Sequence, residues 1–196
     1  VVRKLEAFLA LLRKWNERIN LTASTEWESI RPFFDEAAWA AQFYPPASIT
    51  HLDVGSGAGF PAIPLRILIP RLHLDLIETR GKRSAFLETV IAELGLSETR
   101  VFNARLEQFL CSSPSSWDCV SWKAVKLSAR DVATLVSRAA PGTRFWAFHG
   151  RTAPAEDPGL FESALALEWC RACPAHKGWS LSQYRRSDSR DVSRET

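Results

Sequence analysis

Residues 52–65 read Leu52-Asp53-Val54-Gly55-Ser56-Gly57-Ala58-Gly59-Phe60-Pro61-Ala62-Ile63-Pro64-Leu65. The apolar run from Ile49 to Val54, interrupted by Thr50 and His51, predicts a buried strand. It ends in Asp-x-Gly-x-Gly-x-Gly, and a helix is expected to open at Pro61. Glycine reaches backbone angles closed to other residues and lets main chain approach a ligand closely. Proline suits the first helical position, and Pro64 still falls among the four N–H groups that have no intrahelical partner. Strand, glycine turn and open helix start together predict a cofactor cradle.

The details of the turn select the cofactor. A dinucleotide fingerprint needs Gly-x-Gly-x-x-Gly, whereas the glycines here are 55, 57 and 59, with Phe60 following. A pyrophosphate gains nothing from the negative charge of Asp53 before the turn; a cationic amino end or sugar hydroxyls do. The next apolar run, Leu72 to Ile77, leads into Glu78, and an acidic residue at the end of the second strand is the usual acceptor of ribose hydroxyls. Both features fit S-adenosylmethionine, which carries an amino acid, a sulfonium and a ribose but no phosphate. Asp53, Gly55, Ser56, Gly57, Gly59, Phe60 and Glu78 are therefore the expected cofactor residues. A tight turn in an unrelated α/β protein is the bland alternative.

Outward from this stretch, apolar runs alternate with helical patterns. Residues 1–19 and about 26–43 predict two helices, with Asn20 to Ser24 breaking between them and Pro32 obscuring the start of the second. Strands are expected over 49–54, 72–78, 100–103, 117–122 and 143–149, and helices over 61–69, 81–94 and 128–139. Residues 165–185 supply two antiparallel edge strands. This order predicts a mostly parallel, seven-stranded, Rossmann-like sheet with a helical extension at its start. The expected division is a helical segment 1–45, a cofactor-binding domain 46–185 and a polar tail 186–196.

Composition fits such a domain. Of the 196 residues, 46% are hydrophobic and 24% charged, with a net charge of +3, ordinary for a globular protein. No apolar stretch approaches a membrane span, and there is no signal-peptide pattern. Four cysteines without a dense framework indicate a reducing compartment, so a cytoplasmic protein without membrane contact is expected. The Val1 start, the lack of methionine and a first helix that opens partway along lead us to expect a preceding segment. Cys170 and Cys173 form half a zinc motif with no second pair, and no metal is expected.

Five stretches carry a family resemblance. Asp53 to Leu65, with Glu78-Thr79-Arg80-Gly81-Lys82-Arg83-x-x-Phe86-Leu87, resembles the bacterial 16S rRNA guanine-N7 methyltransferase family, glucose-inhibited division protein B. Trp15-Asn16-Glu17-Arg18-Ile19-Asn20-Leu21-Thr22 is similar to its N-terminal signature. Asn103-Ala104-Arg105-Leu106-Glu107 and Val120-Ser121-Trp122-Lys123-Ala124 match less closely. The resemblance spans about residues 3–150. It implies a class I S-adenosylmethionine-dependent methyltransferase acting on the small ribosomal subunit as a monomer. It also implies cofactor contacts at Gly55, Phe60, Leu106 and Glu107, and at Lys123, where the family carries arginine. Pro32 stands where the family has histidine, and His149 where it has lysine. These departures leave open another RNA or a small molecule as substrate, or a non-catalytic cofactor-binding protein.

What the sequence lacks narrows the chemistry. Amino methylation of bases generally uses an Asn/Asp-Pro-Pro-aromatic loop, and carbon-5 methylation of pyrimidines a nucleophilic cysteine; neither stands after the expected strand. Guanine N7 needs neither, because its lone pair lies in the ring plane and bears no proton. No general base, and so no catalytic side chain, is expected. RNA binding is assigned to Arg80, Lys82, Arg83, Arg105 and Lys126 at the strand ends, with Arg130 nearby. Solvated helix ends are the alternative for each of these residues taken singly.

Overall fold

The computed structural model describes residues 1–112, 116–150 and 164–187. Helices α1 (Val2–Asn16) and α2 (Trp27–Ala40) come first, followed by a short 3-10 turn. The alternating part comprises β1 (Ile49–Val54), α3 (Ala62–Leu68), β2 (Leu72–Ile77), α4 (Gly81–Leu94) and β3 (Thr99–Phe102). It continues with α5 (Leu106–Ser112), β4 (Cys119–Lys123), α6 (Ala129–Arg138) and β5 (Arg144–His149). β6 (Leu165–Ala172) and β7 (Ser180–Arg186) complete it.

The seven strands run in the order β3-β2-β1-β4-β5-β7-β6. β1 to β5 pair in parallel, while β7 pairs antiparallel with both β5 and β6. The order reverses between β1 and β4, which places the topological switch point, where open α/β sheets bind ligands, at the carboxyl ends of those strands. The class expected from the alternation of patterns is the class observed.

Strand alternation divides the core between two faces. Ile49, Leu72, Leu74, Leu76, Cys119 and Trp146 pack with Phe8, Leu12 and Ile30 of the N-terminal helices and with Phe86 and Leu87 of α4. Leu52, Val54, Val120, Trp122, Phe145 and Ala147 pack with α5 and α6 through Phe109, Val132 and Leu135. Both faces of the central strands β1, β2, β4 and β5 are covered, which is why these strands read as apolar runs, whereas the edge strand β6 is largely exposed.

Several boundaries differ from the sequence reading. α1 ends at Asn16 rather than near 19, because the Asn16 side chain accepts the N–H groups of Leu21 and Thr22, both at 2.9 Å, and turns the chain. α2 starts at Trp27 and runs through Pro32, whose missing N–H leaves the Glu28 carbonyl without its helical donor. α3 begins at Ala62, with Pro61 as the flanking residue rather than the first helical one. β4 starts at Cys119 instead of 117, and α5 is a helix that the sequence pattern does not predict. A left-handed Gly95 ends α4, and Ser128 with Asp131 forms a capping box on α6. Of the expected polar tail, residues beyond 187 lie outside the described residues.

Candidate cofactor and nucleic-acid site

A cavity of about 710 Å³ opens at the switch point, beyond the ends of β1, β2 and β4. Its volume is in the range that holds small ligands. Its floor is Val54, Gly55, Ser56, Gly57 and Ala58. Gly55 has φ +72°, and a Cβ there would lie 2.3 Å from Val125 Cγ2. Only glycine fits between that wall and the turn.

The turn is fastened from the neighbouring strand. Gly55 and Ser56 donate their N–H groups to the Ile77 carbonyl, at 2.8 and 3.0 Å. Glu78 accepts the Gly57 N–H on one carboxylate oxygen at 2.9 Å and the Arg80 N–H on the other at 2.8 Å. Glu78 is buried, yet it lines the cavity. A carboxylate has about four acceptor positions, so capacity remains for sugar hydroxyls after two main-chain donors are satisfied.

Phe60 also lines the cavity, held by ring contacts with Phe8, Phe33 and Phe34 at centroid distances of 5.1–5.3 Å. It is thus both a core residue and a wall residue. Leu106 and Glu107, from the first turn of α5, form part of another side. Two expected cofactor residues do not line the cavity. Gly59 faces Ile63 and Leu87, where a Cβ would come within 2.8 Å of Ile63 Cγ1, and so serves packing of α3 against the turn. Asp53 lies beneath the floor, buried, and accepts the Ser121 hydroxyl at 2.6 Å.

Burial raises the Asp53 carboxyl to about 6, against hydrogen bonds from Ser121 and Ser56 and the charge of Lys123 that pull it down. Lys123 reaches the cavity from the end of β4, but its ammonium is held by Glu36 of α2. It sits over the rings of Phe33 and Trp179, at 4.6 and 4.4 Å. Burial pushes Lys123 down and Glu36 up, each opposed by the other's charge. The residue after Lys123, Ala124, has φ +54° and also lines the cavity, a backbone conformation costly for an L-residue. Sequence gave no sign of the Glu36 partnership, since the two residues stand 87 positions apart.

Of the expected RNA residues, Arg80, Arg83, Arg105 and Lys126 line the cavity, and three of them, Arg80, Arg105 and Lys126, are exposed. Arg83 reaches back to the Asn20 carbonyl at 3.1 Å. Lys82 is exposed on α4 and does not line the cavity; Arg130 is exposed on the first turn of α6. His149, at the end of β5, meets the Ser182 hydroxyl at 3.0 Å. Cys170 is exposed and Cys173 buried. Among the described residues no cluster of three or more His, Cys, Asp or Glu is arranged around a metal site, and no helix is long and apolar enough to cross a membrane.

Residues 1–165 match the family model for rRNA small subunit methyltransferase G, GidB. The ribosomal RNA small subunit methyltransferase G of Roseiflexus castenholzii is 39% identical over 160 residues, covering 76% of this chain and 66% of that protein. The Geobacillus kaustophilus protein of the same name is 39% identical over 124 residues, 61% of this chain and 52% of its own. The chain thus spans about half to two thirds of the length of these curated relatives. In fold it is similar to a variant of MtNAS in complex with S-adenosylmethionine, with TM-score 0.66 and 14% identity over 94% of this chain and 75% of that one. N-methyltransferase NodS from Bradyrhizobium japonicum aligns with TM-score 0.63 and 16% identity, covering 84% of this chain and all of its own.

Proposed function

The chain belongs to the rRNA small subunit methyltransferase G family, and from that premise we propose that it transfers a methyl group from S-adenosylmethionine to N7 of a guanine in 16S rRNA. The carrying observation is a glycine turn clamped by Glu78, under a cavity edged by Arg80, Arg83, Arg105 and Lys126. We read the protein as a cytoplasmic monomer acting on the small ribosomal subunit.

The residues present fit this cofactor. Gly55, where a Cβ would strike Val125, lets the main chain of the floor lie against that wall of the cavity, and Glu78 offers acceptor capacity for the ribose. Leu106, Phe60 and Val125 give apolar wall to an adenine, and Glu107 adds an acceptor at its edge. Lys123, fixed by Glu36, presents a positive charge to the carboxylate of the amino acid end. When bound, the cofactor supplies an electrophilic methyl group on a sulfonium.

The chain's own task is placement. Guanine N7 carries no proton, so no side chain has to remove one, and the gain comes from aligning two reactants for in-line displacement. The floor and Glu78 fix one reactant. The rim cations hold the phosphates around the other and neutralise part of their charge. Those contacts would bring an unpaired guanine to the mouth of the cavity, and the cofactor, held by Glu78 and the floor, would supply the methyl group there.

The test is methyl transfer from labelled S-adenosylmethionine to small subunits lacking N7-methylguanine, followed by nucleoside analysis. Label in N7-methylguanosine supports the reading. Label in another nucleoside, or none with the cofactor bound, assigns a different substrate or a binding role.

A further inference from the structure

Asp53 stands at the end of a buried chain of hydrogen bonds that no part of the proposed reaction uses. Tyr44 Oη lies 2.8 Å from His51 Nδ1, His51 Nε2 lies 2.8 Å from Ser121 Oγ, and Ser121 Oγ donates to Asp53 Oδ1 at 2.6 Å. His51 and Ser121 are fully buried, and Tyr44 is 7% exposed. His51 and Asp53 stand two apart on β1, and Ser121 is the register partner of Asp53 on β4. All three therefore face the side of the sheet covered by the N-terminal helices.

The direction of the chain follows from its end. An ionised carboxylate only accepts, so Ser121 must spend its single proton on Asp53. Ser121 then accepts from His51, which places the imidazole proton on Nε2. Nδ1 is left as an acceptor for the Tyr44 hydroxyl. Burial holds His51 neutral, down to about 3, which is what this pattern requires. Every donor points toward Asp53.

We propose that Tyr44, His51 and Ser121 are positioning residues that keep the Asp53 carboxylate charged and directed beneath the glycine floor, where it favours a cationic ligand. This rests on the cofactor reading above, since S-adenosylmethionine brings an ammonium and a sulfonium. Without Tyr44, the imidazole proton is free to move to Nδ1. Nε2 then competes with Asp53 for the Ser121 proton. Three buried polar groups, two on strands and one just before β1, are thus explained by one charge near the carboxyl end of β1.

Other groups act on that charge. Glu78 repels it and Lys123 attracts it, Ser56 donates to the Asp53 carbonyl, and Cys119 and Tyr44 lie near enough for their own ionisation to be opposed. Ser121 is the hydroxyl donor to the carboxylate that belongs to the chain through His51. Its loss disfavours the charged form.

The experiment is calorimetric binding of two probes from pH 5 to 8: S-adenosylmethionine, and 5′-methylthioadenosine, which is neutral and lacks the amino acid. For the unaltered protein, S-adenosylmethionine binding weakens below about pH 6 and methylthioadenosine binding does not. Ser121→Ala moves that midpoint up by about one pH unit. It weakens S-adenosylmethionine about eightfold at pH 5.5 and leaves methylthioadenosine within about twofold. Tyr44→Phe shifts it in the same direction by less, and Ser121→Thr, which keeps the hydroxyl, restores the profile. An unmoved midpoint in Ser121→Ala, or equal weakening of both probes, overturns the inference and leaves a packing role. Failure of the unaltered protein to bind either probe overturns the cofactor reading itself.

Discussion

The carboxylate of Glu78 accepts the main-chain N–H of Gly57 at 2.9 Å, so the residue that follows β2 holds the turn that follows β1. Its other oxygen holds Arg80 N–H at 2.8 Å, at the start of α4. Glu78→Gln keeps the shape but turns an NH2 toward one of these donors. We predict a loss of about 1–3 kcal/mol in stability, and a loss of cofactor affinity of about tenfold or more. Urea unfolding and calorimetric titration check the two effects separately.

Gly55→Ala puts a Cβ into Val125 at a left-handed backbone position. The conformation alone costs about 1–2 kcal/mol, and the displaced Val125 intrudes on the cavity it lines. Cofactor binding should fall well beyond what the change in thermal midpoint accounts for. An equal fall in both would place the effect in folding.

The buried pair of Glu36 and Lys123 should behave asymmetrically. Glu36→Leu strands the Lys123 charge between Phe33 and Trp179, a loss of about 3–5 kcal/mol. Glu36→Leu with Lys123→Met removes both charges and should recover most of that stability. A double-mutant cycle in urea measures the coupling; strict additivity of the two losses would show none.

How far this site was legible from sequence depends on separation along the chain. The strand, the glycine turn and Glu78 could be read directly, because only glycine satisfies such a turn and the acidic residue closes the next apolar run. The Glu36–Lys123 pair could not, nor could the chain through His51, which looked like an interruption of a strand. Apart from the Tyr44–His51 contact, these join residues 68–87 positions apart, across strands or between a helix and the sheet. α5 was missed because its seven residues hold too little periodicity to separate a helix from a turn. Local chemistry revealed the cradle; long-range pairing decided which side chains face it.

Acid titration separates Asp53 from His51. The Asp53 carboxyl is raised to about 6 by burial from an ordinary 3.8. Between these values the folded protein keeps a proton that the unfolded chain has lost, so this group loses stability as pH rises, about 3 kcal/mol in all. His51, lowered to about 3, has the opposite sign: its contribution is full above pH 6.5 and declines as pH falls. The two nearly cancel from pH 4 to 6. Asp53→Asn removes one of them, and its stability relative to the unaltered protein should rise by about 1.4 kcal/mol per pH unit across that window. Urea unfolding at half-unit steps measures the slope.

The rim should act through charge number. Arg105→Ala and Lys126→Ala, both exposed at the cavity edge, should each lower the salt dependence of small-subunit binding by about one phosphate contact. Cofactor affinity should stay unchanged in Lys126→Ala. Filter binding from 50 to 300 mM salt reads the slope directly, and an unchanged slope in both would remove them from the RNA interface.

The most direct measurement exploits the chemistry of the proposed product. N7-methylguanosine in RNA is reduced by borohydride and the chain then breaks with aniline. After incubating small subunits that lack the modification with the protein and S-adenosylmethionine, this treatment should cut 16S rRNA at a single guanine, and only when both are present. Intact rRNA under those conditions, with the cofactor shown to be bound, would contradict N7 transfer to the small subunit.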